Sequence, residues 1–488
     1  MMGFLNVSEP ARPVRSLVYI AVVTSLISGC AMMGPDYWRP KETVPAKFTE
    51  EVASSDTATA PVSSTWWELY QDPILNDLIT KAHQNNTDIK LAVARVEESD
   101  AFLREVGAAL FPQINLDSTA ARSKITQLGA TPLFNGIQPI RENYNIRLGT
   151  SFELDFWGRL RRAKESARAQ ALGTRFAKDT VELSLSGLVA SNYLLLRSLD
   201  AQLELTRDSL RSRKESLDLT QRRLDGGVSS SLDVNQAQVA ASNLDAQLAD
   251  IVRQRAIVLH QLAVLTGDLD LQLAEGHIDT LPVPPVPPAG LPSSLLETRP
   301  DVRQAEQGLI SANANIGVAK AALFPTITLT AYYGGESAQL GDVLKSAARI
   351  WSGGLGLNLP IFDSGRLNAR LDQATAVQKQ SLASYEGAVQ TAFREVNDAL
   401  VSVRQNTERE ESLRISRDAA QKALATAENR YKSGYSGYLD VLDSQRVYND
   451  NSLAFIQSRQ ARLVATVDLF KALGGGWNAE ETKRNTVK

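Results

Sequence analysis

Few residues in this chain are placed to do chemistry. Asp440 and Asp443 stand three apart in YSGYLDVLDSQR (Tyr435–Arg446), a spacing that puts both carboxylates on one face of a helix. A helix start also favours them without any further role, because acids near an N-terminus complement the backbone dipole. The phrase has an earlier counterpart, VSSSLDVNQAQ (Val228–Gln238), which supplies Asp233. Each copy follows an arginine, a hydrophobe and a glycine turn, Arg223–Gly227 and then Arg430–Gly434. Cys30 is the only cysteine, so it can form no internal disulfide. His83, His260 and His277 are scattered without metal-ligand spacing, and no nucleophile elbow accompanies them. The glycines of SGGLGLN (Ser352–Asn358) fall on the wet side of a strand and make no phosphate loop. This inventory excludes an enzyme and leaves acids on a helix face and one modifiable thiol.

The thiol has a context. Arg12 and Arg15 precede the apolar run Leu17–Ile27, and Ser28-Gly29-Cys30 closes it. A positive flank, a short apolar stretch and small residues describe an export signal. The run is shorter than the roughly 20 residues a bilayer span requires. Ile27-Ser28-Gly29-Cys30 resembles the bacterial lipobox, so Cys30 is expected to carry a covalent N-acyl/S-diacylglycerol lipid, with no other cofactor. Ala31 in place of the aspartate that retains lipoproteins at the inner membrane favours sorting to the outer one. The mature chain has no apolar run long enough for a membrane helix, so any crossing must be made by strands. A net charge of −3 over 488 residues carries no nucleic-acid footprint.

The rest of the chain is a tandem duplication. DIKLAVARVEESDAFLREVGAALFPQINL from Asp88 is answered by DVRQAEQGLISANANIGVAKAALFPTITL from Asp301, a shift of 213. Gly158, Arg223 and Asp233 recur as Gly365, Arg430 and Asp440 at a shift of 207. The difference lies between Pro112 and Gly158, in a stretch that includes the loop-like QLGATPLFNGIQP. The expected organisation is a signal peptide (1–29), a lipidated tail (30–65), a first repeat (66–280), a proline-rich linker (281–294), a second repeat (295–474) and a tail (475–488).

Within each repeat the period changes. A helix runs to the Phe-Pro pair, where proline disfavours further helix. Alternation follows: Ile114, Leu116, Ser118 and Ala120, then Tyr144 through Phe156, and in the second copy Ile327 through Tyr333 and Leu355 through Ile361. Segments of about 10 residues with one apolar face suit tilted membrane strands. A soluble half-buried hairpin carries the same pattern. From Gly158 the period is helical to about Asp225, a length on the order of 100 Å. Val189, Leu196, Leu203, Leu210, Leu217 and Leu224 recur every seventh residue, as in a coiled-coil seam. The second copy has Glu410 and Arg417 in that seam. Second helices follow each glycine turn, about Ser231–Thr266 and Leu439–Leu473, which puts the LDV phrases at the tips of helical hairpins.

Four strands per chain cannot close a membrane barrel, and open edges cannot face lipid. Several chains must therefore pool strands, and three would give twelve.

CAMMGPDYWRP (Cys30–Pro40), WWELYQDPILNDLI (Trp66–Ile79), GLPSSLLETRPDVRQAE (Gly290–Glu306), the paired ALFP and FDSGR (Phe362–Arg366) resemble the TolC-like outer membrane factors. The resemblance is to their lipoprotein branch, which serves resistance-nodulation-division efflux pumps. It implies a mixed fold: long α-helical hairpins forming a periplasmic α-barrel, and four strands per chain entering a trimeric 12-stranded outer-membrane β-barrel. It also implies a homotrimer in the outer membrane of a Gram-negative bacterium, contacts with outer-membrane lipid, and docking to a periplasmic adaptor and an inner-membrane pump. Asp440 and Asp443 match the acids that ring the narrow end of such channels, and Leu439 adds an apolar constriction. Tyr431 and Asp233 match the residues that latch neighbouring coils, with Arg446 countering an acid. Ser436 stands where TolC has a latch arginine. The expected function is passive exit of drugs or other small molecules through a gated tube. Type I secretion, heavy-metal efflux and a non-conducting periplasmic lipoprotein are the alternatives.

Replacing Cys30 with Ser should abolish incorporation of radiolabelled palmitate; label that still enters the protein would refute the lipobox reading.

Overall fold

The computed structural model describes residues 32–41, 45, 48, 62–126, 138–287 and 294–477. Cys30, the signal segment, most of QLGATPLFNGIQP, the linker core at 288–293 and the end of the chain lie outside the described residues. The elements are α1 (Pro73–Asn85), α2 (Thr87–Ala108), β1 (Gln113–Lys124), β2 (Ile140–Leu154), α3 (Arg159–Asp225), α4 (Ser231–Thr266), α5 (Pro300–Ala321), β3 (Thr326–Ser337), β4 (Arg349–Asn358), α6 (Arg366–Lys432) and α7 (Tyr438–Ala472). The hairpin helices begin and end within a residue or two of the expected positions, while α2 and α5 stop at Ala108 and Ala321, three residues before Phe111 and Phe324. Leu359 and Ile361 are an exception, since β4 stops at Asn358 before Pro360. Among the described residues no helix is long and apolar enough to cross a membrane.

The chain divides into two compact units, each built from pieces of both copies: 1–40, 97–172 and 306–384 form one, and 41–96, 173–305 and 385–488 the other.

The first unit holds one antiparallel sheet in the order β1-β2-β3-β4. Its register sorts residues by polarity. Leu116, Leu148, Tyr333 and Trp351 form one cross-strand row, and Phe152, Leu329 and Leu355 another. The opposite face carries Asn115, Asp117, Arg147, Asn145, Thr328 and Thr330. Gly353 departs from the wet-side expectation, because it pairs with Ala331 on the apolar face, whereas Gly354 and Gly356 stay on the polar one. That apolar face is uncovered: Leu116 is 69% exposed, Leu355 67% and Trp351 78%.

A strap made of Met33–Arg39 crosses this unit. The Arg162 guanidinium, almost wholly buried, donates to Met33 O (3.2 Å), Asp36 (2.7 Å) and Glu165 (2.8 Å). Glu306 accepts both nitrogens of Arg39, at 2.7 and 2.9 Å, and the Tyr37 hydroxyl at 3.2 Å. Asn313 donates to Pro35 O at 2.9 Å. Gly34 (φ +89°) lies on Gly317, and a Cβ there would sit 2.5 Å from the Gly317 Cα. The Met33 amide reaches Trp157 O, and Trp157 stacks on Phe324 at the ends of β2 and β3.

The second unit has a continuous apolar core. Trp66 and Tyr70 of the WWELY motif are fully buried, Trp66 stacked on Phe470 at 5.4 Å. Asp72 caps α1 through Ile74 N (2.8 Å), with proline at the first helical position, and its other oxygen accepts the Tyr193 hydroxyl. His83 packs against Trp67 and bonds Ser186 at 2.8 Å, and burial pulls its pKa below the ordinary value. In the signature stretch Arg299 is buried and binds Asp301, Glu395 and Ala472 O, which ties the start of α5 to α6 and α7.

The α3 seam is buried as the heptad predicts, from Val189 through Leu210. In α6 its polar members have dedicated partners. Glu410, 6% exposed, receives Arg459 at 2.9 Å and Arg462 at 3.1 Å from α7. Arg417 lies 4.2 Å over the Phe455 ring. Arg459 also donates to Leu281 O at 2.8 Å, so this charge cluster fixes the stretch that follows the first repeat.

Glu410→Gln leaves Arg462 without a counter-charge and Arg459 with only the exposed Asp279 at 3.6 Å, and should cost about 3 kcal/mol. The thermal midpoint by circular dichroism at 222 nm of detergent-solubilised protein should fall; an unchanged midpoint would show that solvent already screens the pair.

Candidate functional site at the hairpin tips

Both tips are built by one turn used twice. At the first, Gly227 N bonds Leu224 O (2.9 Å) and Val228 N bonds Arg223 O (2.9 Å). At the second, Gly434 N bonds Tyr431 O (3.0 Å) and Tyr435 N bonds Arg430 O (2.9 Å). These are helix ends closed by a left-handed residue, at φ +75° in Gly227 and φ +81° in Gly434. The duplication fixes them because only glycine takes that conformation freely.

The two copies then diverge. α4 starts with a capping box: Ser230 Oγ accepts Asp233 N at 3.3 Å, and Asp233 Oδ2 accepts Ser230 N at 3.1 Å. Asp233 Oδ2 also takes the Ser229 hydroxyl at 2.7 Å, and these bonds hold the carboxylate below its ordinary pKa. In α7 the equivalent of Ser230 is Gly437, and no side chain caps the helix. Asp440, the counterpart of Asp233, therefore has an exposed carboxylate with no hydrogen bond or ion pair among the described residues. Asp233 is spent on its own helix; Asp440 is not.

Asp443 and Arg446 form an ion pair at 2.7 Å, and Arg446 reaches Asp450 at 3.6 Å. Leu439 is 62% exposed, next to Asp440 on the uncovered side of α7. The opposite side of α7 is the tip's small core: Tyr438, Val441, Tyr431 and Ala237, with Leu217, Ala427 and Leu442 against them. Tyr431 does not bond Asp233 within the chain. Its ring meets Tyr438 at 5.6 Å and lies under the Arg223 guanidinium at 4.3 Å, while Arg223 Nη2 reaches Tyr431 O at 3.5 Å. Behind it Arg213 donates to Gln445 at 2.6 Å, in a setting where burial pushes the Tyr438 phenol up and the guanidinium down.

Sequence reasoning thus placed Leu439, Asp440, Asp443 and Arg446 on one accessible helix start. It missed Arg223 and Tyr438 as the partners of Tyr431. The repeat contained a signal: Tyr431 replaces Leu224 of the first copy, a change from an aliphatic to a cation-binding surface just after a conserved-in-repeat arginine. Beside this face α4 and α7 enclose a groove of about 570 Å³, lined by Asn235, Val239, Leu244, Leu439, Asp443 and Arg446 among others.

An exposed apolar sheet face, a duplicated helical hairpin and one exposed, unpaired carboxylate at a hairpin tip, Asp440, together characterise the chain. The outer membrane efflux protein family matches residues 78–268 and 291–475. The chain belongs to that family. It is 34% identical over 477 residues to the probable efflux pump outer membrane protein TtgC of Pseudomonas putida, covering 96% of this chain and 98% of that protein. It is 32% identical to the probable outer membrane lipoprotein SilC of Salmonella typhimurium, covering 93% and 97%. Among solved structures, the outer-membrane channel OprN superposes with a TM-score of 0.85 at 31% identity, over 92% of this chain and all of that one. The open-state MtrE channel of Neisseria gonorrhoeae gives 0.82 at 31% identity, over 91% and 98%. This family member is an outer-membrane channel component of efflux.

Ser230→Ala removes the acceptor of the Asp233 amide, leaves the carboxylate on Ser229 and the residue-230 amide, and should loosen the first turn of α4 by about 1 kcal/mol, read as faster amide exchange at residues 232–235. Gly437→Ser should do the reverse at 438–441, since nothing lies within 4 Å of a Cβ there. Because the Asp233 pKa is lowered, its contribution is full above the ordinary aspartate value and is lost as pH falls through the lower folded value. The protection lost in Asp233→Ala should therefore be full at pH 7 and shrink below about pH 4, while the Ser230→Ala effect should change little with pH. Equal exchange in wild type and Ser230→Ala at pH 7 would remove the capping argument.

Proposed function

We propose that three copies of this chain form a gated efflux tube that gives small molecules a passive path from periplasm to exterior. The observation that carries this is the uncovered apolar face of the four-stranded sheet, with β1 and β4 as unpaired edges. Successive strands alternate in direction, so β4 of one copy can continue into β1 of the next in the same antiparallel sense. Three copies give twelve strands and no edge. The Tyr333–Trp351 row supplies interfacial aromatics on the lipid face.

The hairpin tips close the tube in this reading. Threefold repetition stacks Asp440 and Asp443 as anionic rings behind a constriction at Leu439, which favours cations. Arg446 tempers the Asp443 ring, so Asp440 contributes most of the field. Tyr431, held by Arg223, is the fixed point of the latch, with Asp233 at the neighbouring helix start. The groove between α4 and α7 is the docking surface for a helical tip of a periplasmic adaptor, which joins the channel to an inner-membrane pump of the resistance-nodulation-division class.

The lipid completes the arrangement. An acyl chain on Cys30 adds a lipid anchor to the strands' hold on the outer membrane. The lipoprotein named among the relatives supports this reading. The boundaries of the two repeats, at 66–280 and 295–474, are the units of duplication, while the compact units draw on both.

The test is conductance of the purified protein in planar bilayers, wild type beside Asp440→Ala/Asp443→Ala. Small cation-preferring currents should lose their preference in the double variant. A reversal potential that does not move would take the acids out of the narrowest point, and absence of current from inserted protein would favour a non-conducting lipoprotein.

A further inference from the structure

The polar face of the sheet holds a second charged group that the gate does not use. Arg147 on β2 is opposite Gly334 on β3, and Tyr332 on β3 is opposite Gly149 on β2. The two glycines clear a shallow niche in the strand surface. A Cβ on Gly334 would lie 2.6 Å from the Arg147 Cα, so no larger residue fits. In this niche the Arg147 guanidinium lies against the Tyr332 ring, 5.3 Å from its centroid, rather than projecting away from the wall. Across the other strand pair Arg147 is level with Asp117. The Asp117 carboxylate leans over Gly149, with Oδ2 3.5 Å from where a Cβ would be. No ion pair joins Asp117 and Arg147 among the described residues. The same face carries Glu336, bonded by Asn143 at 2.9 Å, and Arg141.

We propose that Asp117 and Arg147 form a charge-balanced belt on the inner wall of the β-barrel, an inference that rests on the channel reading above. Opposite charges that pair directly neutralise each other and offer little to a solute. Here the pair is level but separate, the cation stacked on a phenol and the anion over a glycine, so each presents an unshared polar edge. Threefold repetition gives alternating plus and minus around one level of the wall. Such a belt contacts anionic, cationic and zwitterionic solutes alike and adds no sign preference of its own. Ion selectivity is thereby confined to the acids at the tips, and the wide barrel passes cargo of either sign.

The test is the K⁺/Cl⁻ permeability ratio of the full-length trimer in planar bilayers, for wild type, Arg147→Gln, Asp117→Asn and the double variant. It is run near 10 mM salt, where the screening length is about 30 Å. Arg147→Gln should raise the ratio by about twofold, Asp117→Asn should lower it by a similar factor, and the double variant should return to wild type. Arg147→Lys, which keeps the charge, should match wild type. All differences should vanish at 1 M, where screening is about 3 Å. Full-size currents with a ratio unmoved by either single change overturn the belt. So do shifts of the same sign, or shifts that persist at 1 M, which indicate a change of shape. Loss of all current in the wild type overturns the channel reading itself.

Discussion

A strand that faces hydrocarbon must give every backbone N–H and C=O a partner, because no water is there to take them and each orphan costs several kcal/mol. The sheet of this protein satisfies that demand across three interfaces, β1–β2, β2–β3 and β3–β4, and leaves it unmet at two edges. The apolar face shows which solvent the sheet is built for. Once the face must lie in lipid, the two edges must meet other copies, and the number of strands in one chain stops being a free choice. Duplication, the twin hairpins and the repeated turns all serve that arithmetic, since each copy of the repeat brings one strand pair to a barrel that no single chain can close.

The helical unit solves a different problem. Its apolar core around Trp66, Tyr70 and Phe470 is ordinary close packing, but specificity along the long helices comes from buried charge with matched partners. Asp200 accepts Arg197 at 2.8 Å and Arg255 at 2.6 Å, and Glu410 accepts Arg459 and Arg462. Heptad hydrophobes alone would tolerate a shift of one turn between neighbouring helices. A buried acid that must find two arginines does not, because a slip would strand three charges at once.

Much of this was legible in the sequence because the relevant signals are local or periodic. The helix ends follow from Gly158, Gly227 and the Phe-Pro pairs, and the strand faces follow from alternation. The shift from 213 to 207 places the insertion in one loop. The misses have a common cause. Glu410 reads as a flaw in a seam until Arg459 and Arg462, some fifty residues away, are seen to face it. Gly353 breaks the wet-side pattern because small residues carry no polarity signal of their own. Arg223 is 208 residues from Tyr431, too far for spacing to join them, and Tyr438, only seven residues on, is brought back to Tyr431 by the glycine turn between them rather than by a helical period. The difference between Asp233 and Asp440 was visible in principle, since Ser230 and Gly437 occupy the same place in the two copies, but it requires asking what each acid does for its own helix first.

The strap at Met33–Arg39 bears on the order of events as the chain matures. Its hydrogen-bond partners are Arg162 from the first copy, 126 residues from Asp36, and Glu306 and Asn313 from the second, 267 residues from Arg39 and 278 from Pro35. Contacts of such long sequence separation form late, after the elements that carry them are in place. Met33–Arg39 thus have nowhere to dock while the body is incomplete and are held at several points afterwards. A closed strap, with Gly34 seated on Gly317, is a physical record that both copies have folded.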